Sequence, residues 1–221
     1  MSSVAAPVAV EHADALWYGL LMTITVSAIG ILGSVVVGLA GAAAVELRVP
    51  VLRPLARIYV EAVRNTPLLV QIFALFFVLP TLGVTLSPFV VGCIALIAWG
   101  GAYNVENFRA GFVAVSPRYL EGARALGFSR GRAFVSVTLP IGVRLSLPGL
   151  TNTMISVLKN SALLLGIGLA ELTFVAQRLS AETFRTVELF VVLGVIYLGL
   201  VLALGGAMHQ ISRRYALGAG V

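Results

Sequence analysis

Glu61, Arg64, Gln71, Glu106, Arg109, Lys159 and Asn160 stand in or beside stretches of sequence that are otherwise apolar enough for lipid. An ionised group inside a bilayer costs several kcal/mol unless it is paired or wet. These side chains must therefore face protein or a water-filled path. Glu61 and Arg64 are three residues apart, as are Glu106 and Arg109. On a helix that spacing puts each couple on one face, where pairing lowers the burial cost and neutralises the couple near a membrane interface. Lys159, with Asn152 and Asn160 nearby, falls about midway along an apolar stretch. Its chemistry is that of a structural pair, or of a cation held out to a substrate carboxylate or a gating partner.

Other chemistries lack their residues. Cys93 is the single cysteine, so the sequence offers no intrachain disulfide and no cysteine-based metal cluster. His12 and His209 are too far apart in sequence to suggest a zinc pair and are expected at membrane interfaces. A phosphate-binding loop needs Gly-x4-Gly-Lys-Ser/Thr, yet the only lysine, Lys159, follows Leu158 in an apolar stretch. Nor is a nucleophile–base arrangement assembled, in which a Gly-x-Ser-x-Gly has the partners a membrane hydrolase requires.

The elements that must position these groups are membrane spans. Of 221 residues, 59% are hydrophobic and 11% charged, too apolar for a water-soluble domain of this size. A spanning helix takes roughly 20 apolar residues, and five stretches qualify: 16–45, 58–80, 87–108, 145–169 and 187–208. The expectation is an all-α, polytopic integral membrane protein forming one domain over 1–221. The segment before the first span has no Lys or Arg, and that span is longer than the apolar part of a cleavable signal, so it reads as a retained helix. The formal net charge of +6 reports orientation rather than nucleic acid. Arg48, Arg53 and Arg57 follow the first span, Arg118, Arg124, Arg130 and Arg132 the third, and Arg213 and Arg214 the fifth, while the alternate side carries only Arg178 and Arg185. The arginine-rich segments are expected in the cytoplasm, the N-terminus outside and the C-terminus inside.

Within the first span Gly30, Ser34, Gly38 and Ala42 recur every four residues, a stripe that admits a second helix, read here as intrachain packing. Pro67 predicts a kink or entry bend in the second span. Glu171 and Glu188 are expected as solvated ends near the outer face. Residues 116–140 form a polar island between spans three and four. Ser116 is placed to cap a helix, Pro117 fits its first turn and Gly127 can close it in a left-handed conformation. A second helix is expected from Ser129 to near Pro140. In the first of these helices Tyr119, Leu120, Ala123 and Leu126 fall near one face, with Arg118, Glu121 and Arg124 elsewhere. That face can lie in the membrane interface or dock into a partner protein.

At this point the chain resembles the membrane subunits of bacterial ATP-binding-cassette (ABC) importers. Their signature, the EAA motif, is Glu-Ala-Ala, three residues, Gly, nine residues, Ile-x-Leu-Pro, in the loop that contacts the ATPase. Here Glu121, Gly122 and Ala123, then Gly127, then Val137, Leu139 and Pro140 fall on that spacing, with Gly for the second member and Val for Ile. The stretches "VRNTPLLVQIF" (63–73), "ENFRAGF" (106–112), "LPIGVRLSLPGLTN" (139–152) and "VLKNSALLLGIGLAELTF" (157–174) look like the branch that handles polar amino acids, and the last leans toward glutamate and aspartate. Two departures stand out: Pro117 and Arg118 replace a common Gly-Gln pair, and "KNSA" (159–162) replaces Lys-Asp-Thr-Ser.

The resemblance implies the type I importer fold of five spanning helices with a cytoplasmic coupling-helix hairpin, in the bacterial inner membrane. It implies two ABC ATPase subunits, a second copy or sister permease subunit, an extracytoplasmic amino-acid-binding protein and surrounding lipid as partners, and no nucleic acid. No cofactor is implied for this chain itself; ATP and Mg are used by the ATPases. The ATPase-coupling residues are then Tyr119, Leu120, Glu121, Gly122, Ala123, Arg124, Leu126, Gly127 and Arg130, with Arg124, Arg130 and Arg132 setting register at the rim. An amino-acid substrate carries both charges, so the residues named at the outset supply candidates for a translocation path. Two other classes compete: an ion- or proton-driven carrier, motivated by Glu61 and Glu106, and a non-transporting scaffold that only recruits a soluble partner.

Overall fold

The computed structural model describes residues 8–215, and among these there is no strand. A short turn, α1 (Val8–Glu11), leads into α2 (Ala13–Glu46), the first span. Then come α3 (Leu52–Arg64) and α4 (Leu68–Phe73), the latter prolonged by a π turn and a 3-10 turn to Leu82. The third span is α5 (Pro88–Val113), started by Pro88 and by the Ser87 hydroxyl, which accepts from Val90 N. The polar island holds α6 (Pro117–Ala125) and α7 (Arg130–Ala133), followed by α8 (Leu139–Asn160), α9 (Leu172–Thr183) and α10 (Thr186–Tyr215). Among the described residues four helical stretches are long and apolar enough to cross a membrane, and five if the bent pair of α3 with Leu68–Leu82 is taken as one span.

The centre of the bundle is built from small residues. Gly30, Ser34, Gly38 and Ala42 are all buried and line the seam of α2 with α5. A Cβ at Gly38 would overlap Asn104, and one at Gly30 would come within 2.9 Å of Leu96. Lipid tails are as apolar as leucine, so close backbone approach and interhelical hydrogen bonds hold such a seam. Ser34 Oγ accepts from Asn104 Nδ2 (3.1 Å), Asn104 Oδ1 from Asn107 Nδ2 (3.1 Å), and Asn107 Nδ2 also reaches Thr153 Oγ1 (2.8 Å), tying α2, α5 and α8 together.

One span bends where the sequence places a kink, and another departs from the sequence reading. The second span, expected over 58–80, bends at Pro67 as its sequence predicts, by 105° between α3 and the Leu68–Leu82 segment. Pro67 sits extended there, with φ −62° and ψ 136°. Gln71 clamps the break, its Nε2 lying 2.9 Å from Val63 O, 3.1 Å from Thr66 O and 2.8 Å from Thr66 Oγ1. Carbonyls freed by a proline break need such partners away from water.

The helix expected to stop near Pro140 does not stop. A π turn, Phe134–Thr138, in which Leu139 N donates to Phe134 O, absorbs the crowding around Pro140, and one helical stretch runs from Arg130 to Ile167. The fourth span thus starts fifteen residues before the expected position 145. Its far end is broken as well. Gly168 adopts φ +76°, and α9 restarts from Glu171 as N-cap. Glu171 meets Thr23, ten residues into α2 and so about 15 Å along it. Beyond the other end of α9, Arg185 Nη1 reaches Glu11 Oε2 at 3.0 Å. The twelve residues of α9 therefore run on from the junction at Glu171 toward the Glu11 end of α2.

Candidate functional site

Two sites gather the predicted residues. The first is a cleft of about 280 Å³ toward the hairpin end, lined by Val45, Ala56, Arg57, Val60, Glu61, Val105, Glu106 and Arg109. Polar α3 positions Arg57 and Glu61 recur one turn apart on the side that meets α5, where Glu106 and Arg109 are again one turn apart. Arg109 Nη2 and Glu106 Oε2 pair at 3.1 Å, with 45% and 35% of the side chains exposed. The cleft thus presents two carboxylates and two guanidinium groups, an array that can meet a zwitterion without a net charge of its own.

Glu61 does not pair with Arg64 as the spacing suggested. Arg64 is the last residue of α3, and its guanidinium turns onto the Tyr103 ring, 5.1 Å from the centroid, which leaves Glu61 to the cleft. Gln71 is engaged at the Pro67 break. Lys159 and Asn160 lie elsewhere, at the end of α8; Lys159 is exposed beside Ala162, Tyr197, Leu198 and Val201. Arg57 was missed, although its four-residue step to Glu61 was legible.

The second site is the hairpin. Pro117 stands at the first turn of α6, and Ser116 at the N-cap position makes no side-chain cap bond. Gly127 closes the helix at φ +73°, donating to Arg124 O at 2.9 Å while Phe128 N reaches Ala123 O at 3.0 Å. This pair of bonds is the Schellman arrangement. A Cβ at Gly122 would meet nothing within 4 Å, so glycine for alanine in the motif answers to no steric demand. The expected single apolar face divides. Ala123 is buried against the chain's own π turn and Leu120 is half-buried, whereas Tyr119 and Leu126 stay 40% and 77% exposed. Glu121, Arg124 and Arg130 are exposed. Arg130 Nη2 donates to Glu46 O at 2.5 Å, fixing the hairpin to the end of α2, and within the hairpin Arg132 lies over the Phe128 ring at 4.5 Å. Gly127 to Gly131 reads Gly-x-Ser-x-Gly, but Ser129 serves as the N-cap of α7, accepting from Arg132 N, and follows a helical turn instead of a strand.

A model of the family described as "Binding-protein-dependent transport system inner membrane component" matches residues 30–217. The chain belongs to that family. Curated relatives of the permease include the glutamine transport system permease protein GlnP of Escherichia coli strain K12, 31% identical over 198 residues, 89% of this chain and 90% of that protein. The L-cystine transport system permease protein TcyB of Bacillus subtilis strain 168 is 33% identical over 89% of this chain and 84% of its own. Among solved structures, an amino acid ABC transporter with histidines superposes with TM-score 0.85 at 31% identity, covering 93% of this chain and 96% of that one. The inward-facing MetNI methionine ABC transporter gives 0.80 at 17% identity over 93% and 98%, a likeness of fold alone. The permease is an ABC-transporter transmembrane domain, a multi-pass component of the inner membrane.

Glu171 is the residue whose role the sequence reading misplaced. It is fully buried, where a solvated end was expected. Its carboxylate accepts from Phe174 N (2.7 Å), Thr173 N (2.9 Å), Tyr197 OH (3.1 Å) and Thr23 Oγ1 (3.5 Å), and Leu172 N donates to Thr23 Oγ1 at 3.0 Å. Four donors on one carboxylate cap α9 and join it to α2 and α10. The signal available was Gly168 followed closely by an acid and an apolar run, the grammar of a helix restart.

Proposed function

We propose that this permease subunit carries polar amino acids across the inner membrane, driven by two ABC ATPase subunits that grip the 116–140 hairpin. The observation that carries the reading is the hairpin itself: Tyr119 and Leu126, apolar and exposed, project from a signature-bearing helix that Arg130 ties to the end of α2. Tyr119 and Leu126 fill a groove of the ATPase, Glu121 and Arg124 meet its rim, and closure of the ATPases levers the hairpin through the continuous Arg130–Ile167 helix. In this reading the hairpin lies in the cytoplasm with the C-terminus, the N-terminus outside. ATP and Mg belong to the ATPases, a second copy or sister permease completes the path, and an extracytoplasmic protein delivers the substrate.

Substrate passes the cleft of Arg57, Glu61, Glu106 and Arg109, and Lys159 at mid-depth faces the second permease chain and the path. Relatives named for glutamine transport favour a carboxamide side chain, whereas the 157–174 stretch leans to glutamate and aspartate. The comparisons give the ion-driven carrier no support. The test is ATP hydrolysis by the reconstituted complex with its binding protein, titrated with single amino acids. Glutamine, glutamate or aspartate is expected to stimulate hydrolysis and uptake together. Uptake by the permease in liposomes without any ATPase would overturn the reading.

A further inference from the structure

The hairpin root encloses a second polar cleft, of about 490 Å³, which shares Leu120, Arg124 and Arg130 with the coupling residues and adds the end of α2. Its walls include the end of α2 (Glu46, Leu47, Arg48) and the hairpin residues Arg124, Phe128 and Arg130. Three guanidinium groups face one acid. Arg48 and Arg124 form no ion pair among the described residues, and Arg130 donates to a neutral carbonyl, Glu46 O, so the cleft keeps its positive charge.

Arg48 is also held against its backbone preference. It closes α2 in the left-handed conformation, φ +54°, with Arg48 N donating to Val45 O (3.2 Å) and Val49 N to Ala44 O (3.0 Å). Glycine usually fills that position, and any side chain there is strained. The chain accepts that strain and gains a cation at the mouth of the cleft.

The depth of the cleft names the anion. Trp17 and Tyr18 on α2 are 60% and 71% exposed, the amphipathic aromatics that settle at a membrane–water interface. Glu46 lies 29 residues further along the same helix, about 44 Å at the helical rise. A bilayer with its headgroups is about 40–45 Å thick. With one end of α2 anchored by Trp17 and Tyr18, Glu46 and Arg48 fall at the phosphate layer of the opposite leaflet.

We infer that the Arg48–Arg124–Arg130 cleft binds a phosphate group, supplied by an anionic phospholipid of that leaflet. Arginine suits it, because its fork meets two phosphate oxygens at once. A bound headgroup bridges α2 to the hairpin and so bears on how freely the hairpin moves. This rests on the membrane setting of the family and not on the identity of the transported substrate.

The experiment uses the permease–ATPase complex reconstituted with spin-labelled phosphatidylglycerol or phosphatidylcholine and reads the motionally restricted lipid fraction. A preference for phosphatidylglycerol is expected, falling about fivefold in Arg48→Gln and about 25-fold in Arg48→Gln/Arg124→Gln, from roughly 1 kcal/mol per arginine near an anionic surface. Arg48→Lys should keep most of it, and Arg213→Gln, an exposed arginine outside the cleft, should keep all. Arg48→Gly removes the cation while relieving the left-handed strain, so loss of preference in that variant cannot come from unfolding. Several results would overturn the proposal: no preference in the wild-type complex, an undiminished one in the double variant, or one seen in the lone permease that vanishes when ATPase is added, which makes the cleft ATPase docking ground. Displacement by inorganic phosphate at low excess would overturn the lipid as source and leave a soluble phosphate as the ligand.

Discussion

Replacing Glu171 tests how far a saturated carboxylate stabilises the half-helix junction. Glu171→Ala removes the acceptor from Thr173 N, Phe174 N, Tyr197 OH and Thr23 Oγ1 at once. In water, bonds to a charged group would be worth more, but within a membrane bundle side-chain hydrogen bonds average about 0.6 kcal/mol and reach about 1.7. Two of the four, to Thr173 N and Phe174 N, are the N-cap bonds, together roughly 1 kcal/mol; the two side-chain bonds add about 1.2–3.4 kcal/mol, which places the cost of Glu171→Ala at about 2–4 kcal/mol. Glu171→Gln keeps one oxygen, yet every neighbour of the carboxylate is a donor. Its amide nitrogen must then oppose Phe174 N–H on Oε1 or the three donors on Oε2, and the former arrangement, losing one bond and adding a donor–donor contact, costs about 1–3 kcal/mol. Tyr197→Phe removes a single bond and should cost no more than about 1.7 kcal/mol. Denaturant unfolding of the purified permease in detergent, followed by the fluorescence of Trp17 and Trp99, ranks the three. The expected order of stability is wild type, Tyr197→Phe, Glu171→Gln, Glu171→Ala. A Glu171→Ala protein as stable as wild type would refute the argument, because it would show that the carboxylate gains nothing from its four donors.

Two other perturbations follow from the geometry. Gly127→Pro removes the N–H that donates to Arg124 O and demands a negative φ where the chain has +73°; membrane insertion and permease levels should persist while amino-acid-stimulated ATP hydrolysis separates from uptake, and undiminished uptake contradicts the coupling role. Gly38→Val puts a branched side chain where even a Cβ would overlap Asn104, so α2 and α5 must separate and break the Ser34–Asn104 bond; folded, monodisperse permease in detergent should fall severalfold, and a normal yield would show that the α2–α5 seam tolerates a side chain there.

Some of this molecule is set by local sequence. Apolar runs dictate where helices can sit in lipid, Pro117 and Gly127 bound α6 by backbone sterics alone, and the four-residue stripe of Gly30, Ser34, Gly38 and Ala42 marks a close helix seam in whichever chain supplies the partner. Glu106 and Arg109 pair because one helical turn joins them. These are short-range effects, decided within four or five residues.

What the tertiary structure decided concerns groups whose partners are far away in sequence. Pro140 signals a stop by its own chemistry, and only the packing of Phe134 and Thr138 against the bundle lets a π turn carry the helix through. Arg64 abandons Glu61 because α5 brings Tyr103 beneath it. Glu171 looked solvated from its neighbours; it is buried because Thr23, 148 residues earlier, and Tyr197, 26 residues later, bring their hydroxyls to it. The reason is common to all three: the deciding partner lies on another helix, and helix packing, not the local sequence, brings it there; for Glu171 in particular, a buried carboxylate goes where its hydrogen bonds can be met.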